Sequence, residues 1–349
     1  MAIHPFSPRF LAHVLLSCLF AAAATAQAQT PGQPGIAPPA IDKLVHAAHA
    51  VVQVHTHVLP DATSAATLGD EREGTGMIIG PGGLVLTIGY LILEADKVEL
   101  TDHDGKSVDA TVVGYDHATG FGLVRANSAL GGSPIALGKS SGLDSMQRMI
   151  IASGAASDGL SLAYVTAQRP FAGYWEYAID NAIFTSPPRT DHSGAALINQ
   201  AGELIGVGSL VVADAGISGM RVPGNMFVPV DLLKPILDEL TRTGHAQSGY
   251  RPWLGINSND EDGRVRIIRI TSGSPAAKAG IKAGDLILRV AGEKVTTLAD
   301  LYRRIWARGE ACKCAATDVP LTVLQGADIR EIKVRSMDRL DFLTRKPGI

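Results

Sequence analysis

Cysteine is scarce: the 349 residues hold three, and one of them, Cys18, lies in the leading apolar stretch. The remaining pair, Cys312 and Cys314, is too small a set for a disulfide scaffold. Two ligands one residue apart do not make a zinc site either. They could pair with each other across a very short loop or stand as two plain thiols, and the sequence leaves both readings open. An excess of either charge is missing as well. Lys and Arg number 31 against 34 Asp and Glu, a formal net charge of −3, with no basic block. That speaks against nucleic acid as a partner. The longest apolar run, Phe10 to Ala24, is too short and too poorly flanked for a membrane-spanning helix.

What is present points to short strands. The chain carries 38 glycines and 19 prolines between many brief apolar runs, a pattern of β structure rather than helical bundles. With 46% hydrophobic residues it can bury a sizeable core, and its length suits two or three domains. Residues 1–28 read as a secretory signal peptide: Arg9, the apolar run, then the cleavage site Ala26-Gln27-Ala28. A lipoprotein signal through Cys18 is the weaker reading, because the apolar run continues past it. Residues 29–44 form a flexible leader, in which Ile41 and Leu44, followed by Val45 and Ala48, begin a short helical pattern.

Strands follow at Val51–Val54, Gly76–Ile79, Leu84–Thr87, Val98–Leu100, Val108–Val113, Leu123–Val124 and Met149–Ile151. Their spacing implies a sandwich or barrel. Pro229 to Thr243 reads as a helix with the apolar stripe Leu232, Leu233, Ile236, Leu237 and Leu240, stopped by Gly244. After a polar linker, a second unit begins at Trp253. It carries a strand at Val265–Ile270, a short helix with Ser274 as N-cap and Pro275 at N1, and a strand at Leu286–Val290. A helix capped by Thr297 and a closing hairpin around Gln325-Gly326-Ala327 complete it.

The element around which the chain is organised is the small-residue turn Asp191-His192-Ser193-Gly194, which runs into the apolar segment Ala195–Ile198. Taken with Gly74-Thr75-Gly76-Met77-Ile78-Ile79, Asp116 to Arg125, Leu137-Gly138-Lys139-Ser140, Gly202 to Gly206 and Phe227-Val228-Pro229, it resembles the protease domain of HtrA (Deg) serine proteases over residues 45–243. Ser274-Pro275-Ala276, Ala279-Gly280-Ile281, Gly284-Asp285 and Ala291-Gly292 resemble a PDZ domain over 250–336, with a tail at 337–349. The resemblance implies an all-β trypsin-like double β-barrel followed by a small α+β PDZ domain, exported to the bacterial periplasm.

The likeness departs at the chemistry. Where the family has its catalytic histidine this chain reads Thr87-Ile88-Gly89-Tyr90-Leu91, so Tyr90 holds that position, and the family aspartate falls on Gly120. Ser193 keeps the nucleophile position, and the oxyanion hole would use the backbone N–H groups of Ser193 and of Asp191, which stands where the family has glycine. A serine hydroxyl needs a base to take its proton. A phenol with a pKa near 10 is protonated at neutral pH. His192 adjoins Ser193 in the chain and reaches its hydroxyl poorly, while His117 lies in a loop before Gly120 and could swing inward. The expectation is a pseudoprotease; the alternative is an active endopeptidase with a displaced base.

In the second domain, Trp253, Leu254, Gly255 and Ile256 resemble the loop whose backbone N–H groups hold a C-terminal carboxylate. An extended peptide would add beside Val265–Ile270, its last side chain facing Leu298 and Tyr302. The implied partners are peptides or unfolded proteins, and homo- or hetero-oligomers with HtrA-like proteins. Family trimers form through N-terminal aromatic residues, which Ile41–Val54 lacks. No cofactor and no metal is expected: His55 and His57 share one strand face, where two half-exposed polar positions account for them.

Overall fold

The computed structural model describes residues 38–154, 159–216, 221–246 and 250–343. The signal peptide expected at 1–28 lies outside them. A helix, α1 (Pro38–His49), leads into β1 (Val51–Val58), so helical structure starts inside the segment read as leader. The first barrel continues with α2 (Ala65–Leu68), β2 (Glu71–Gly80), β3 (Leu84–Ile88), β4 (Ala95–Thr101), β5 (Ser107–Tyr115) and β6 (Phe121–Ala126). It closes in the order β1-β2-β3-β6-β5-β4.

The second barrel holds β7 (Arg148–Ala152), β8 (Leu160–Gly173), β9 (Tyr177–Ser186), β10 (Ala196–Ile198), β11 (Leu204–Val212) and β12 (Gly224–Pro229), closed as β10-β11-β12-β9-β8-β7. The two orders are the same path offset by six strands, and closure leaves neither barrel with a free edge. One apolar cluster, with Met77, Leu86 and Phe121 among its first-barrel members, runs on through Ile198 and Leu204 of the second. Interior side chains of the second barrel, including Met149, Ile183 and Phe227, form a separate cluster.

The helix expected from Pro229 begins late. Val230–Leu232 is a 3-10 turn, and α3 spans Leu237–Thr243. Pro235 explains the delay: it has no N–H to donate and disfavours a helical Lys234. The apolar stripe is real, but its first half packs as turns.

The second unit contains β13 (Ile256–Glu261), β14 (Arg264–Ile270), α4 (Pro275–Lys278), β15 (Leu286–Val290), β16 (Glu293–Lys294), α5 (Leu298–Cys312), β17 (Asp318–Gln325) and β18 (Asp328–Arg335). Its sheet runs β13-β14-β15-β17-β18 around a core that includes Ile267, Leu301, Tyr302 and Val323. Both expected caps are made: Ser274 accepts from Ala277 N and Thr297 from Asp300 N. Cys312 and Cys314 are joined as a disulfide at the end of α5. The segment read as a tail folds back: Met337 pairs with Trp253, and α6 (Arg339–Phe342) sets Phe342 against the Trp253 ring, 4.7 Å between centroids.

Candidate functional site

Ser193 sits in the loop between β9 and β10, clamped by both barrels. Its carbonyl accepts from Thr75 N of β2 at 2.8 Å, while Gly194 N donates to Gly208 O of β11 at 2.8 Å. Gly194 turns the chain at φ +74, where a Cβ would lie 2.0 Å from Thr75 O, so no other residue fits there.

Tyr90 lies on the 3-10 turn Gly89–Leu91 that follows β3. Buried Arg72 fixes this turn, donating to Tyr90 O and Leu93 O at 2.8 Å each and to Ser64 Oγ at 2.7 Å. The phenol reaches across the barrel interface, and its oxygen lies 2.9 Å from both Ser193 Oγ and Ser209 O. It has one proton for two acceptors. When that proton goes to the carbonyl, which can only accept, the Ser193 hydroxyl is free to donate to the phenol oxygen. Burial pushes the Tyr90 pKa up to about 12, against a smaller lowering by the Ser193 contact.

The structure therefore brings Tyr90 and Ser193 together and places Gly120 nearby in the fold: Gly89 N donates to Gly120 O at 2.7 Å. Gly120 has φ +82, and a Cβ there would come 3.2 Å from the Tyr177 hydroxyl. That hydroxyl donates to Thr119 O at 2.6 Å, so the space beside Gly120 is filled by a second tyrosine. Neither neighbouring imidazole joins the serine. His192 Nδ1 is 2.8 Å from Thr190 O. His117 is half-buried, with its covered Nε2 unpartnered among the described residues, and desolvation lowers its pKa. His55 and His57 lie on β1 with ring centroids 4.7 Å apart, His57 Nδ1 at 3.5 Å from Glu71.

Asp191 is held by its own neighbours. Arg189 donates to both carboxylate oxygens and Ser153 Oγ donates to one of them. The Arg189 hydrogen bonds lower its pKa to about 2, and its own backbone N–H adds to that lowering.

In the second unit, Leu254, Gly255 and Ile256 present their N–H groups to one place. Gly255 has φ +80, and a Cβ there would lie 2.2 Å from Ser274 Cβ. Trp253 instead pairs with Met337 through both backbone hydrogen bonds. The expected peptide edge needs correction. β14 is already paired along its length with β13 and at its start with β15, so its β13 side is closed to a peptide. β13 and β18 are the end strands of the sheet, and β13, which follows directly on Leu254-Gly255, is the one beside the three N–H groups. Tyr302 faces that groove with its hydroxyl, and Leu298 is buried at the start of α5, its N–H donating to Asp260 at 2.8 Å.

Sequence reasoning missed Glu176. It lies at the tip of the β8–β9 hairpin with φ +58, and its carboxylate accepts from Leu254 N and Gly255 N at 2.9 Å each and from Ile256 N at 3.3 Å. A cavity of about 500 Å³ runs from Tyr90, His192 and Ser209 to Tyr174, Ile256 and Phe342, so both places open onto one space.

Two barrels of matching strand order with a serine turn between them, followed by a capped β-sheet unit with a carboxylate loop, define a trypsin-like peptidase domain joined to a PDZ domain. Residues 74–207 match the trypsin-like peptidase domain family and residues 252–335 the PDZ family. The chain is homologous to the HtrA/Deg serine proteases.

Among its relatives, serine protease PepD of Mycobacterium tuberculosis is 30% identical over 293 residues, covering 76% of this chain and 62% of PepD. The periplasmic pH-dependent serine endoprotease DegQ of Escherichia coli is 26% identical over 296 residues, covering 76% and 59%. Serine endoprotease DegS of Haemophilus influenzae is 29% identical over 268 residues, covering 70% and 73%. The chain thus spans about three-fifths of the length of PepD and DegQ. Solved structures of the HtrA-type protease AlgW, one with a decapeptide and one with a tripeptide, share the fold at TM-scores of 0.52 and 0.51 and 18% identity. They cover 88% of this chain, which spans 99% and 98% of theirs.

Proposed function

We propose that this chain is a secreted, periplasmic HtrA-like protein that binds peptides or unfolded chains in envelope protein quality control and does not cut them. Its working parts are a barrel pair over 45–243 and a peptide-binding PDZ domain over 250–336. The observation that carries the reading is the phenol of Tyr90, 2.9 Å from Ser193 Oγ, at the place where a serine nucleophile needs a base. With a pKa of about 12, roughly one Tyr90 in 10⁴–10⁵ is a phenolate near pH 7.5. Losing the base costs a serine protease roughly 10⁶ in rate, about 8 kcal/mol of barrier.

The names of the relatives favour a second reading, a working endopeptidase using Ser193 with a displaced base. A fluorophosphonate probe and a casein digest separate the two. The expected result is no labelling of Ser193 and no cleavage. Stoichiometric labelling with cleavage abolished by Ser193→Ala would establish the enzyme instead.

A further inference from the structure

The carboxylate loop of the PDZ domain holds a carboxylate that belongs to the same chain. Three backbone N–H groups, from Leu254, Gly255 and Ile256, donate to Glu176. This residue comes from the β8–β9 hairpin of the second barrel, 78 residues before the first of its donors.

The hairpin tip takes up the rest of the groove in the same manner. On the edge strand β13, Ser258 N donates to Tyr174 O at 2.8 Å, the ladder bond that an added peptide strand would make. On the opposite wall, the Tyr302 hydroxyl of α5 donates to Gly173 O at 2.7 Å and accepts from Glu176 N at 3.1 Å. Between the walls, Ala172 and Ala178 pack against the PDZ core. Anion loop, edge strand, helix wall and apolar floor are all engaged by one turn of the barrel.

We propose that this turn is a built-in occupant of the peptide groove, with the Glu176 carboxylate standing where a peptide's terminal carboxylate would sit. The external ligand is an extended peptide with a free C-terminal carboxylate, and it binds only by displacing the hairpin. The proposal rests on the peptide-binding reading above. Displacement is feasible because the occupant is a turn rather than a strand. It engages β13 through Ser258, whereas an extended peptide could run along Ile256–Glu261 and make several ladder bonds. Glu176 also gives up a left-handed backbone conformation on leaving. Apparent affinity for any outside peptide falls by the fraction of molecules in which the groove is open.

The test uses the full mature chain and two measurements. The first is backbone hydrogen exchange at Leu254, Gly255, Ile256 and Ser258. Protection in the wild type and its loss in Glu176→Ala is expected; equal exchange in the two overturns the proposal, whatever peptides do. The second is fluorescence anisotropy with a pool of fluorescein-labelled decapeptides of random sequence ending in a free carboxylate, beside the same pool amidated.

Glu176→Ala should bind the carboxylate pool about 10- to 100-fold more tightly than the wild type, and the amidated pool not at all. Equal affinities would sink the competition. Loss of protection with no binding by either protein would overturn the peptide-binding reading and, with it, the proposed ligand. Should Glu176→Ala fail to fold, Glu176→Gln keeps the shape and one acceptor oxygen and should show a smaller shift in the same direction.

Discussion

Two places in this molecule resemble sites that hold an anion on backbone N–H groups, and each faces a carboxylate of the chain itself. At the serine turn the carboxylate is Asp191, partly exposed and paired with Arg189, and the guanidinium holds its pKa down at about 2. In the PDZ loop it is Glu176, buried, where the loss of water outweighs three N–H donors and pushes its pKa up to about 7. Burial sets the two apart: Glu176 has lost its water, and three N–H donors do not offset that, while Asp191 keeps part of its water and has a matched cation beside it. It also separates two kinds of occupancy. Asp191 is fixed to its own loop by an ion pair two residues away. Glu176 is an arrival from another domain and can leave.

The pH dependence of the two places sharpens this comparison most. Glu176 has its pKa raised on docking, so the docked hairpin takes up a proton. Its stabilisation is fully present below pH ~4.5 and is lost as pH rises through about 7. The shift corresponds to on the order of 3 kcal/mol. The groups facing it are the Tyr302 hydroxyl and, more distantly, the Arg339 charge, which opposes the rise. Protection of Leu254–Ile256 from exchange should therefore weaken between pH 5 and 7.5 and lose that dependence in Glu176→Ala.

Asp191 has the opposite sign. Its contribution is present above pH ~4 and is lost as pH falls through about 2, so the serine turn should stay intact across the window in which the groove opens. Coincident transitions at both places would break the comparison.

Removing the cation is the next test. Arg189→Ala leaves Asp191 unpaired and should cost about 1–2 kcal/mol in urea unfolding, with the Asp191 carboxyl, followed by NMR titration, moving up toward the ordinary range. An unmoved titration would show that Ser153 and the backbone suffice. The smallest effect is expected from Tyr90→Phe, which removes the hydroxyl between Ser193 Oγ and Ser209 O. A loss of about 1 kcal/mol with no change in fluorophosphonate reactivity is predicted. A gain in labelling would mean that the phenol was restraining a competent nucleophile.

Local signals carried much of this architecture. Ser274 and Thr297 announce helix starts because a side-chain oxygen there caps nearby N–H groups, and both caps form. The strand Leu286–Val290 alternates and forms over those residues. The serine turn is legible from its small residues. Other features depend on contacts that no window of sequence contains. Arg72 reads as a charge in a polar stretch, yet it is buried and holds the Tyr90 turn together through carbonyls about 20 residues away. Glu176 stands in Tyr174-Trp175-Glu176-Tyr177, and nothing in that segment signals donors 78 residues further along the chain. The pairing of β13 outside β14 is a matter of sheet order, so the wrong strand was expected to receive the peptide. Pro235 was visible throughout, but the apolar stripe around it outweighed its meaning.

The edge strand of the PDZ sheet has one more consequence. An unpaired row of N–H and C=O groups is a template for any passing chain, which invites fibrous self-association as readily as selective capture. Because Tyr174 satisfies Ser258 on that strand, the resting protein keeps this sticky margin covered. Opening it without a guest at hand would trade solubility for readiness, and a species lacking the Tyr174 hairpin should be the one that precipitates first on storage.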